Sequence, residues 1–174
     1  MNLGQKLVTE LSTRQPWLNK SSPAAIATHE QTVDGIHFTI EMQDADKYGF
    51  LVRSISAQTL EHPRAELALQ TLLTRQAAEI EKRLTYLLEH FRLVELDELK
   101  QIAQVRSHVP YRQDGTVHYY EILLTEGASL SFVRCNNSGA RGQREIEPTY
   151  ITKEALTRLA NDFIGVLHVS GLRK

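Results

Sequence analysis

Leu69, Leu73, Ala77, Ile80, Leu84, Leu87 and Phe91 recur at steps of three and four. That spacing places them along one side of an α-helix. It predicts a helix over 64–90, beginning beyond Pro63. The other side carries Glu66, Arg75, Glu79, Lys82, Arg83 and Glu89, a solvated surface. Glu79 and Arg83 stand at the favourable i, i+4 offset, worth a few tenths of a kcal/mol. About 27 residues is well above the globular mean of roughly 11–12. Such a helix crosses a sheet or pairs with a second copy.

On either side of it the chain reads differently. Leu3, Leu7 and Leu11, with Val8, make a short amphipathic helix over 3–14, closed by Pro16. Between residues 24 and 57 the period falls to two, most clearly at Ile36, Phe38, Ile40 and Met42. Asp34-Gly35 supplies a two-residue hairpin turn, and a break at residues 43–46 separates a third strand. Strands are predicted within 91–148. Residues 93–105 read equally as strand or as continued helix. Asp114-Gly115 marks a further turn before a strand over Val117–Thr125, Glu126-Gly127 a short turn between that strand and Ser129–Arg134, and residues 136–144 read as a loop. Leu156, Leu159, Ala160, Phe163, Ile164 and Leu167 line a last helix over 152–167, with Thr152 as its N-cap. The fold class that follows is α+β, one domain over 1–174. An antiparallel sheet meander carries one long and two shorter amphipathic helices packed on it.

This order resembles that of the type III secretion chaperones and their bacterial chaperone-like relatives: helix, three strands, helix, two or three strands, helix. The likeness rests on element order and on the Leu69–Phe91 helix, and the strands around 91–109 are additional to it. It implies a small cytoplasmic homodimer that binds other proteins and has no catalytic residues.

Composition narrows the function classes. The 174 residues include 20 Lys+Arg and 21 Asp+Glu, a formal net charge of -1. Near-neutrality disfavours sequence-independent capture of nucleic acid, although a local basic patch would survive that objection. No apolar run approaches the roughly 20 residues of a membrane span, and Met1–Lys6 lacks the apolar stretch of a secretory signal. Lone Cys135 allows neither an internal disulfide nor a thiolate metal cluster. His29 and His37 fall on opposite faces of their hairpin, and Asp44 and Asp46 lack the remaining ligands of a calcium loop. No cofactor and no metal are expected.

Two groupings carry possible chemistry. Counting back from an Asp114-Gly115 tip sets His108 opposite Glu121, with Arg106 and Arg112 on the same face, Arg106 diagonal to Glu121, and Arg134 on the next strand. A carboxylate facing an imidazole could orient it for proton transfer, and the arginines could hold an anion. The alternative is an exposed sheet face with ordinary charge pairing. Pro110 within that strand fits only an edge or a bulge. The second grouping is the Gly-containing stretch Asn136–Arg144, where Arg141 and Arg144 could clamp a phosphate. It lacks the Gly-Lys-Ser/Thr ending of a nucleotide-binding loop. Tyr111, Tyr119, Tyr120 and Phe132 among these arginines suggest a nucleic-acid surface, but Tyr119 and Tyr120 must face opposite sides. The reading preferred is a cytoplasmic protein-binding or adaptor module. Its rivals are an anion-binding protein or enzyme built on Arg106, His108 and Glu121, and a nucleic-acid accessory factor using Arg134, Arg141 and Arg144.

Overall fold

Alternating apolar residues, read against Gly-containing turns, fold into one continuous antiparallel sheet. The computed structural model describes residues 2–13, 25–60, 68–138 and 143–169. Its strands are β1 (Ala27–Val33), β2 (Ile36–Ala45), β3 (Gly49–Thr59), β4 (His90–Asp97), β5 (Ile102–His108), β6 (Tyr111–Gln113), β7 (Thr116–Thr125), β8 (Ser129–Ser138), β9 (Arg144–Glu147) and β10 (Thr149–Thr152). The helices are α1 (Leu3–Thr13), α2 (Leu69–Arg83) and α3 (Lys153–His168). The main path runs β1-β2-β3-β8-β7-β5-β4, with β10 beside β3, β9 beside β8 and β6 beside β7. The α+β assignment holds. No described helix is long and apolar enough to cross a membrane.

The turns lie where the Gly pairs stand. Asp34-Gly35 and Asp114-Gly115 both have two successive positive φ angles, which suits a tight hairpin. They set Val33 opposite Ile36 and Gln113 opposite Thr116. Glu126-Gly127 likewise turns β7 into β8.

Because side chains alternate, the sheet has one apolar face. Ile36, Phe38, Ile40, Ile55, Val105, Ile122, Leu124 and Phe132 are almost wholly buried there. They share one core with Leu7, Leu11, Leu73, Ile80, Leu159 and Phe163 from the three helices. At the α1–α3 crossing, Gly4 lies so close to the Thr157 carbonyl that a Cβ would overlap it. The Gly4 N–H donates to Asn161 Oδ1 at 2.9 Å. Thr152 caps α3, accepting from the Ala155 N–H at 3.2 Å.

The central helix departs from expectation. Of the predicted span 64–90, residues 64–67 lie outside the described residues, and α2 stops at Arg83. It has 15 residues and α3 has 16, so no helix is long relative to the others. Leu84, Leu87 and Phe91 still feed the same core, but from an irregular segment and the first turn of β4. Their spacing therefore mimics a helix after the helix has ended. Leu88 takes φ 64 within that segment, reversing the chain so that β4 can pair with β5. Residues 93–105, open between strand and helix, are the β4–β5 hairpin. The predicted 136–144 loop is also corrected: β8 runs on to Ser138 and β9 begins at Arg144.

Candidate functional site

The sheet's second face carries no helix among the described residues, and its register decides which polar groups meet. In the β5–β7 ladder, Arg106 stands opposite Glu121. The hairpin count had placed His108 there. Near the tip that count is correct, since Tyr111 faces His118. Between the two ladders, however, residues 107–110 oppose only residues 119–120. Two extra residues leave the ladder at Val109-Pro110. Proline has no N–H to contribute, and Val109 takes φ 60. The Ser107 hydroxyl replaces the missing ladder acceptor, receiving the Tyr120 N–H at 2.8 Å. A slip of two keeps every side chain on its expected face but moves the partners. His108 becomes exposed and pairs across the sheet with His90.

Glu121 is the centre of what remains. The residue is 3% exposed although no described helix covers this face. Oε2 accepts from Arg106 Nε at 2.8 Å and from Gln104 Nε2 at 2.7 Å. Oε1 is paired with Arg144, which reaches it from β9. Arg144 also donates through Nε to Cys135 Sγ at 3.2 Å. The Arg106 guanidinium lies over the Tyr119 ring, 5.0 Å from its centre. Tyr119, Cys135 and Val133 form a small apolar cluster beneath these groups.

The surroundings shift Cys135, Tyr119 and Arg144. Burial pushes the Cys135 thiol up, against the pull of the Arg144 hydrogen bond and charge, so it is a protonated side chain near neutral pH. Burial likewise raises the Tyr119 hydroxyl, with Arg106 opposing. Desolvation would lower Arg144, but its bond to Cys135 and the Glu121 charge outweigh it and hold the guanidinium above its ordinary value. Two permanent cations are thus fixed on one buried carboxylate, and no imidazole touches it among the described residues. The arrangement suits anion recognition and lacks the His–Glu contact that proton transfer here would require.

A second cluster occupies the helix side of the same strands. Arg134, which the sequence grouped with Arg106, alternates to this opposite face. Its Nε donates to Glu147 Oε1 at 2.8 Å, and its guanidinium lies 4.7 Å from the centre of the Tyr120 ring. His118 Nδ1 meets the same Glu147 oxygen at 2.8 Å, and Asn136 Nδ2 donates to Oε2 at 3.2 Å. Burial raises Glu147, but the hydrogen bonds from His118, Asn136 and Arg134 outweigh it and hold the carboxyl below its ordinary range. Tyr120 stacks on Phe132 with ring centres 5.3 Å apart, so the inward aromatic packs the core. Strand β9 is therefore fastened on both faces, by Arg144 on one and Glu147 on the other.

No family model, curated protein or solved structure matches this chain.

Of the six residues singled out from sequence, Arg106, Glu121 and Arg144 come together. His108 moves to the sheet margin, Arg134 serves the other face, and Arg141 lies outside the described residues. Sequence reading missed Arg92, which stands directly opposite Arg106 in the β4–β5 ladder. Arg112, which the alternation of the sequence sets on one face with Arg106 and His108, stands there beside Val117. Neither has an ion-pair or hydrogen-bond partner among the described residues. The polar run Asp97–Gln101 signals the turn but not this pairing: counting back from Asp97 opposite Ile102 would set residue 92 opposite 107, and the register shift between Leu93 and Glu95 moves Arg92 opposite Arg106. Of the aromatics that the nucleic-acid reading named, Tyr119 is covered by Arg106 and only 9% exposed, Tyr120 stacks inward, and Tyr111 is exposed.

Proposed function

We propose that this chain is a protein-binding module whose open sheet face receives an acidic segment of a partner protein. The observation that carries this reading is the Arg92–Arg106 pair. Like charges directly across an antiparallel ladder destabilise it. Among the described residues, Glu121 is the single carboxylate ion-paired within this group and is already shared with Arg144. An anionic partner supplies the counter-charge that the sheet lacks. The order helix, three strands, helix, strands, helix supports the chaperone-like likeness, and a homodimer belongs to the same proposal.

The test is fluorescence anisotropy with a labelled glutamate-rich peptide and a lysine-rich control. Arg92→Glu with Arg112→Glu changes two exposed residues that hold no described partner, so folding is retained. The doubly substituted protein should bind at least tenfold more weakly, and wild-type binding should fall as salt rises. Equal binding of both peptides, or an unaffected double variant, would reject the reading. Native mass spectrometry reads the dimer: one chain mass at micromolar concentration would remove it.

A further inference from the structure

The same face carries a statement about which anion it takes. Arg106 and Arg144 are held before any ligand arrives. Arg106 is anchored through Nε to Glu121 and lies over Tyr119; Arg144 is anchored through Nε to Cys135 and through a terminal nitrogen to Glu121. Their side chains nevertheless remain 36% and 44% exposed. A guanidinium has five N–H donors in a rigid fork. No other described acceptor meets the remaining donors of either residue. Arg92 adds a third guanidinium across the ladder from Arg106. Arginines pinned in this way lose little conformational freedom on binding, which favours a compact multidentate anion.

Charge sets the ligand class. Among the described residues, Arg92, Arg106 and Arg144 against Glu121 leave two positive charges without an ion-paired carboxylate at one point of the sheet. Glu95 is one row away, opposite Gln104, and makes no ion pair with any of the three. A carboxylate or a phosphodiester brings one negative charge. A phosphate monoester brings nearly two at neutral pH, with three acceptor oxygens that match several guanidinium donors at once.

We propose that the open face is a receptor for a phosphate monoester on a side chain of the partner protein, seated between Arg92 and Arg106 with Arg144 beside them. The inference rests on the acidic-partner reading and sharpens it. The experiment compares one labelled peptide in three forms, carrying Ser, Glu or phosphoserine at the same position, on the full chain. The phosphoserine form should bind at least tenfold tighter than the Glu form. Arg92→Ala should collapse that ratio toward one while leaving the thermal midpoint near that of wild type. The advantage should also shrink below about pH 6, where the monoester takes up its second proton.

Equal affinity for the Glu and phosphoserine forms would overturn the inference and leave the acidic-partner reading standing. Binding of neither would overturn both. A phosphoserine preference undiminished in Arg92→Ala would place the receptor elsewhere and reject the assignment. Tighter binding of a single-stranded oligonucleotide than of the phosphopeptide would replace the monoester with a phosphodiester chain.

Discussion

Arg106 and Glu121 face each other across the β5–β7 ladder, with Nε 2.8 Å from Oε2. The carboxylate is buried and the guanidinium is a third exposed. The pair is asymmetric, and that asymmetry gives a sharp expectation. Removing the buried charge leaves two arginines that water can still solvate, so Glu121→Gln should cost only about 1–2 kcal/mol. Removing both cations, as in Arg106→Met with Arg144→Met, strands a buried carboxylate and should cost about 3–5 kcal/mol. Urea denaturation of the two variants orders them; the reverse order would show that Glu121 is not the desolvated partner.

Glu147 makes stability depend on acid. Its carboxyl is held below the ordinary glutamate value of about 4.3 by His118, Asn136 and Arg134, against the opposing effect of burial. A depressed carboxyl stabilises the fold fully above its unfolded pKa and loses that contribution as pH falls through the folded one. Glu147→Gln should therefore lower stability near pH 7 by on the order of 1 kcal/mol. The gap to wild type should close as the pH drops below 4. A gap independent of pH would exclude the carboxylate as its source.

Val109 is 75% exposed, β-branched and at φ 60. A non-Gly residue there carries roughly 1–2 kcal/mol of steric cost, which asparagine tolerates better. Val109→Asn should stabilise the protein by about 0.5–1 kcal/mol, visible as a higher thermal midpoint. A drop in midpoint would mean that the valine side chain contributes contacts outweighing its strain.

Gly4 gives the opposite sign to helix propensity. Replacing glycine by alanine inside a helix ordinarily gains up to about 1 kcal/mol. At this crossing the added Cβ meets the Thr157 carbonyl, and backbone cannot step aside as a flexible side chain can. Gly4→Ala should destabilise by about 1–3 kcal/mol, the usual penalty for overpacking. Thermal denaturation monitored by circular dichroism reads the sign directly, and a raised midpoint would show that α1 shifts freely over α3.

The local elements were written in short stretches of sequence. Asp34-Gly35 and Asp114-Gly115 permit the positive φ angles of their turns, Ile36 to Met42 alternate for one buried face, and Thr152 caps α3. Each depends on residues within a few positions, so spacing alone reveals it. The end of α2 was not legible in this way. Leu84, Leu87 and Phe91 keep a helical interval because they fill the same core, and no glycine or proline marks the exit at residues 84–88. The site followed the same division. Periodicity put Arg106 and Glu121 on polar faces and left Arg144 in a loop, but the partner of each depends on the two residues extruded at Val109-Pro110, on the β8–β9 pairing and on the register shift within β4–β5. Side-chain alternation is a property of one strand and survives a slip of two. Register is a property of two strands at once, and only the assembled sheet determines it.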